Sequence, residues 1–351
     1  MADITVFTAR RVRTMEASMP TAEAVAVRDG RIVEVGTLEN MAPWLDAYDH
    51  EIDDTFSDHV IMPGFINAHG HSAMSLFRGI ANDLPLMEWL NDYIWPAEGE
   101  HVSREFVKDG TNFAIAEMIK SGTTCFSDMY FFADEAAAVA KEAGVRAQFC
   151  CPILDFPTVC GTGADDYIDQ ALQLAETYTD EPLITIGLGP HAPYTVSDEP
   201  LLRIKSLATT HTLPVQIHLH ETQHEVDEAI KSSGKRPVKR LEELGLFSEN
   251  IQLQCVHMTA LNDEDIAILK QSNAHVIHCP ESNMKLASGF CETAKLLNEN
   301  INVAIGTDGA ASNNDLDMIG ETRSAALIAK PIAQNASAVD AATALEMATF
   351  N

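Results

Sequence analysis

An apolar run, Val60-Ile61-Met62, leads into Pro63-Gly64-Phe65-Ile66-Asn67-Ala68-His69-Gly70-His71, and the two histidines at its end constrain the chain more than any other stretch. At i, i+2 in extended backbone their side chains leave on the same side and can close on one metal ion. Two ligands do not complete a site. The rest must come from distant sequence, so the fold has to bring separate strand ends together.

Downstream of Pro63 the chain supplies such ends. Short apolar runs alternate with helical stretches, the pattern of βα units around a parallel sheet. Eight strands are expected near Gly64–Ala68, Thr123–Ser127, Val145–Cys150, Ile184–Leu188, Val215–His218, Ile251–Val256, Ala274–Ile277 and Val303–Gly306. Helices are expected over Arg104–Lys120, Asp134–Ala143, Glu199–Thr209, Asp263–Lys270 and Asp315–Ile328, with Ser103 and Asn262 as caps. Eight such units in a chain of this size suit a TIM-type (β/α)8 barrel.

Before Pro63 the texture differs. Ile4 to Thr8, Ala24 to Val27 and Arg31 to Val35 alternate as strands, with Asp29-Gly30 as a hairpin turn. We expect two domains: 1–62 as a small antiparallel β-sandwich unit and 63–351 as the barrel. The chain stops after a helical stretch, Ala341–Asn351, with no closing strand and no sequence partner for the edges of the first unit. The expectation is that a C-terminal completion is missing.

Composition narrows the function. A formal charge of −29, from 52 acidic and 23 basic residues, would repel nucleic acid or an acidic membrane. It leaves a small neutral substrate open. The seven cysteines lack CxxC spacing and sit mostly in apolar runs, which suits buried thiols in a reducing compartment. With no signal-like N-terminus and no run of transmembrane length, the expected location is the cytoplasm.

On a barrel, side chains at the C-terminal strand ends meet at one mouth. Those ends carry His69 and His71, His191, His218 and Glu221, His257, His278 and Asp308. Each alone has an ordinary structural explanation; Asp308-Gly309 could simply be a turn. Their convergence at six strand ends is harder to explain that way. His69, His71, His218 and Asp308 would hold a divalent ion that lowers the pKa of a water toward neutrality. Glu221 is placed as the acid that protonates the substrate, His257 as a partner of the attacking oxygen and Asp308 as the acceptor of its proton. His220 shares the i, i+2 spacing with His218, and both could ligate, but His218 is favoured because Glu221 follows it in an HxxE relation; His278 is a candidate pocket residue. Gly187-Leu188-Gly189-Pro190 offers no lysine to bridge a second metal. Between the first two strands, the insertion from Ser72 to Gly122 carries Trp89, Tyr93 and Trp95, aromatics that either cover a pocket or pack on the barrel.

Together His69-Gly70-His71, Phe77-Arg78-Gly79, His218-Leu219-His220-Glu221 and Gly306-Thr307-Asp308-Gly309-Ala310-Ala311-Ser312-Asn313-Asn314 resemble the amidohydrolase superfamily, and within it the 5-methylthioadenosine/S-adenosylhomocysteine deaminases. The resemblance spans essentially the whole chain. It implies one zinc ion per chain on His69, His71, His218 and Asp308, and nucleoside contacts from Glu98 and His191, with Glu221 and Asp308 also at the purine. Trp89 is added as a pocket residue. The implied reaction is hydrolytic deamination at C6 of the purine, giving the inosine analogue and ammonia. Further copies of the same chain are compatible partners. Two other outcomes are weighed: action on another aromatic heterocycle such as guanine or a triazine, and a catalytically silent binding or assembly relative.

The resemblance also implies a preference. Relatives that accept the homocysteine adduct look to carry arginines around and after the third strand. Here no lysine or arginine occurs between Arg146 and Arg203. A wall of Ile153, Leu154 and Phe156 suits a methylthio group, and Asp155 would repel a carboxylate. The competing expectation is a cation from elsewhere, such as Arg78.

Overall fold

The computed structural model describes residues 3–351 and divides into two compact units, with the boundary between Gly64 and Phe65. In the first unit β1 (Ile4–Arg13), β2 (Thr21–Arg28) and β3 (Arg31–Gly36) pair antiparallel. β4 (His50–Asp53) and β5 (Val60–Ile61) both run parallel to β1, which corrects the expectation of a purely antiparallel unit. The reason is α1 (Leu38–Ala47), a crossover that returns the chain to the end where β3 began, so the next strand must run the same way. Among the described residues this is one mixed sheet, and its second layer is helical. Met41 packs on Ile4, Val6, Ala24 and Ala26. Thr37 caps α1 through a reciprocal hydrogen-bonded box with Asn40.

The second unit is a parallel barrel of eight strands: β6 (Phe65–Asn67), β7 (Thr123–Asp128), β8 (Arg146–Ile153), β9 (Ile184–Pro190), β10 (Val215–Leu219), β11 (Leu253–His257), β12 (Ala274–His278) and β13 (Val303–Ile305), paired in that order. The backbone closes it: Ala68 N–H donates to Ile305 C=O at 3.0 Å and Asp308 N–H to His69 C=O at 3.0 Å. This junction brings the first and last ligand-bearing segments together. It depends on Gly306, where a Cβ would lie 2.6 Å from the His69 nitrogen. All eight expected strands are present, and the helices Arg104–Lys120 and Asp263–Lys270 keep their expected bounds, capped by Ser103 and Asn262. Among the described residues no helix is long and apolar enough to cross a membrane.

Candidate metal centre and pocket

Three imidazoles meet at the mouth of the barrel. His69 and His71 follow β6 and His218 lies in β10, and their nitrogens all fall within 4.8 Å of one another. His69 Nε2 is 3.2 Å from His218 Nε2, and Asp308 Oδ1 stands 3.2 Å from His71 Nε2 and 3.6 Å from His69 Nε2. The remaining nitrogens are also accounted for. Nδ1 faces an acceptor in each ring: Gln216 Oε1 at 2.8 Å for His69, Met129 C=O at 2.5 Å for His71 and His191 C=O at 2.7 Å for His218. Carbonyl acceptors put a proton on each Nδ1 and leave the three Nε2 atoms facing one another, with the Asp308 carboxylate beside those of His69 and His71. That donor set fits a divalent cation.

The protonation chemistry agrees. Burial drives His69 and His218 toward the neutral form. His71 is raised to about 9, because the Asp308 contact outweighs burial. Burial would raise the Asp308 carboxyl, but the two imidazoles hold it well below the usual range. His71 and Asp308 thus hold a proton where a cation would displace it. Asp308 is fixed further by Ser282 Oγ at 2.6 Å on Oδ2 and Gly309 N–H at 2.7 Å on Oδ1. It sits at φ +64 and His257 at φ +79, left-handed backbone that non-glycine residues adopt at a cost and that clusters at functional sites.

Around this floor lies a cavity of about 320 Å³ lined by, among others, Trp89, Glu98, His191, Glu221 and His257. His71, His218 and Asp308 also reach its lining, whereas the fully enclosed His69 does not. Burial, then Asp308, pushes the Glu221 carboxyl up to about 8. Its Oε2 is 3.7 Å from His257 Nε2, and His257 Nδ1 faces Asn283 Oδ1 at 2.9 Å. Burial pushes Glu98 up to about 7 against the pull of the adjacent Tyr130 hydroxyl and His71, and pulls His191 down to about 4. Trp89 lines the cavity, and its buried Nε1–H has no partner among the described residues.

Several expectations are corrected. Of the two histidines in His218-Leu219-His220, His218, the favoured one, joins the other imidazoles and His220 does not: its Nδ1 faces Ala260 C=O at 3.1 Å and its Nε2 accepts from Val238 N–H at 3.1 Å, because the backbone turns at φ +52 and ends the strand alternation. His278, pulled down to about 3 by burial, does not line the cavity. Trp95 does, whereas Tyr93 points outward. In the wall, Leu154 and Phe156 line the cavity, but Ile153 is core because β8 extends to it. Asp155 is exposed and accepts from Ser197 N–H at 2.8 Å, so its charge is spent outside the wall. Arg78 is held in a two-pronged pair with Glu117. Sequence reasoning missed Tyr130, Asn283 and Gln216. Tyr130 lies just past the end of β7, where the rule of strand ends would have pointed.

The amidohydrolase family model matches residues 60–351. A 5-methylthioadenosine/S-adenosylhomocysteine deaminase of Saccharophagus degradans is 55% identical over 93% of this chain and 72% of its own length. A 5'-deoxyadenosine deaminase of Methanopyrus kandleri is 43% identical over 92% of this chain and 73% of its own. The crystal structure of an adenosine deaminase from Xanthomonas campestris with bound zinc superposes with a TM-score of 0.90 at 43% identity, covering 98% of this chain and 78% of that one.

Proposed function

This chain belongs to the amidohydrolase family, and on that premise we propose that it is a metal-dependent hydrolytic deaminase of adenosine-type nucleosides, with 5'-methylthioadenosine preferred over S-adenosylhomocysteine. One observation carries the reading: three imidazoles converge, with the Asp308 carboxylate against two of them, on the floor of a cavity that also holds two carboxyls with raised pKa. Catalysis is assigned to residues 63–351 and none of it to 1–62. Seven free cysteines, all buried or partly buried, support a cytoplasmic location.

His69, His71, His218 and Asp308 would hold one zinc ion. What such an ion supplies when bound is a water brought toward ionisation near neutral pH. Glu221, protonated at pH 7 with its pKa near 8, donates to N1 of the purine as water adds at C6. Asp308 takes one water proton and passes it to the departing 6-amino nitrogen, which leaves as ammonia. The second water proton returns to Glu221 as the C6–O bond becomes a carbonyl. His257, with Nδ1–H committed to Asn283, offers Nε2 to the attacking oxygen. At the sugar, an ionised Glu98 can accept from both ribose hydroxyls. His191 and the unpartnered Trp89 Nε1–H supply further nucleoside contacts.

The preference rests on charge. Among the described residues no lysine or arginine lines the cavity, so the homocysteine carboxylate would be desolvated without a partner, which is costly. The names of both curated relatives, with S-adenosylhomocysteine in one and 5'-deoxyadenosine in the other, leave the 5' substituent to be decided by each chain's own wall.

Elemental analysis of protein purified without chelators should find one zinc per chain in the wild type and a small fraction of that in His218→Ala. The loss should cost several kcal/mol of catalysis, about 10³-fold or more in turnover. Two metals per chain, or a fully metallated variant, would overturn this site.

A further inference from the structure

Of the three metal-facing histidines, His71 and His218 direct Nδ1 at backbone carbonyls. His69 alone directs it at a side chain, Gln216 Oε1 at 2.8 Å. Gln216 and His218 are two apart in β10, so they share the face turned into the barrel, the glutamine one layer deeper. Both Gln216 and His69 are 0% exposed.

An amide can be read in two orientations unless its surroundings decide, and here they do. Gln216 Nε2 lies 3.1 Å from Ala68 C=O, which can only accept. It also lies 2.7 Å from Gln254 Oε1 and 3.2 Å from Ser127 Oγ. Gln254 Oε1 in turn receives Gln148 Nε2 at 2.8 Å. The NH2 group therefore faces Ala68, and the amide oxygen faces His69 Nδ1. A carbonyl oxygen there admits only the tautomer with hydrogen on Nδ1, which leaves Nε2 free to ligate.

We infer that Gln216 is a positioning residue that selects the ligating tautomer of His69, with the carbonyl of Ala68, the residue immediately before that ligand, fixing the orientation of the amide. The inference rests on the metal reading above and extends it to the only one of the three Nδ1 acceptors that a point substitution can remove. Gln254 and Gln148 support the layer without touching the ring.

The test is zinc affinity, measured by equilibrium competition with a fluorescent chelator and by zinc release from the loaded enzyme into excess chelator, with melting of the metal-free protein recorded alongside. Gln216→Met should weaken zinc binding by about 10–100-fold, the usual consequence of losing a ligand's hydrogen-bond partner. Gln216→Glu, which burial keeps protonated so that one oxygen still donates to Ala68 C=O while the other accepts from Nδ1–H, should stay within about threefold of the wild type. Gln254→Met, which leaves the Ala68 and His69 contacts intact, should do the same. Should Gln216→Met fail to fold, Gln216→Asn, with its amide one methylene short of the ring, carries the same expectation. Wild-type affinity in a folded Gln216→Met or Gln216→Asn variant would overturn the inference. So would a loss in Gln254→Met equal to that variant's, since the effect would then be packing of the layer. A wild type that binds no zinc refutes the metal reading instead.

Discussion

The floor of the cavity and its outer wall are built on different principles. On the floor, each histidine is held by a partner from distant sequence, His69 by Gln216, His71 by Met129 and His218 by His191, and Asp308 by Ser282 and its own neighbour Gly309. His69 is fully enclosed. The wall comes from the insertion after β6 and the loop after β8, with Phe156 42% and Val159 39% exposed. That loop is tethered by the Tyr167 hydroxyl, which bonds Phe156 C=O at 3.2 Å, Thr158 Oγ1 at 2.9 Å and Gly161 C=O at 2.9 Å, together with Asp155 N–H on Thr195 C=O and Gln170 Nε2 on Cys160 C=O, each at 3.0 Å. A floor of buried, mutually bonded polar groups tolerates little change, whereas a partly exposed wall can change which 5' group fits without disturbing the chemistry.

If the two regions are separable, substitutions should divide cleanly between them. The largest effect is expected at Glu221→Gln, which should retain the metal and lose about 10²–10⁴-fold in kcat, as removal of a general acid does. Near-normal turnover would remove Glu221 from the proton path. At the wall, Phe156→Arg should leave kcat for 5'-methylthioadenosine nearly unchanged. It should raise the relative kcat/KM for S-adenosylhomocysteine by about 10–100-fold, the value of one charged hydrogen bond. A fall in kcat for both nucleosides would show that the wall is coupled to the floor. The smallest effect concerns Glu98, which must be ionised to accept from ribose. With a pKa near 7, its ionised fraction falls about tenfold from pH 8 to pH 6. KM should rise correspondingly as pH falls through 7, and Glu98→Gln should flatten that dependence while raising KM throughout.

The same contrast explains what the sequence disclosed. Strands of a parallel barrel are buried on both faces, so β7 to β13 stand out as apolar runs, and histidines and acids at their ends are conspicuous against them. Neither α1 nor β4 is among the expected elements of the first unit, and the direction of β4 depends on that crossover, which alternation does not report. His220 was ambiguous for a local reason, a left-handed turn that ends the strand one residue after Leu219. The pairing of Arg78 with Glu117 could not be read across 39 residues. Gln216 was within reach: a polar residue inside the apolar run Val215 to Leu219, on the face of His218, had to have a partner in the core.

The central claim is that a fixed metal floor lies beneath a wall without cations. It is tested most directly by steady-state kcat/KM for 5'-methylthioadenosine and S-adenosylhomocysteine on the zinc-loaded protein, following conversion of the adenine chromophore to hypoxanthine. The account predicts deamination of both with a clearly higher value for 5'-methylthioadenosine. Equal or reversed efficiencies would contradict the assignment of the wall, and no deamination of either nucleoside would contradict the assignment of the floor.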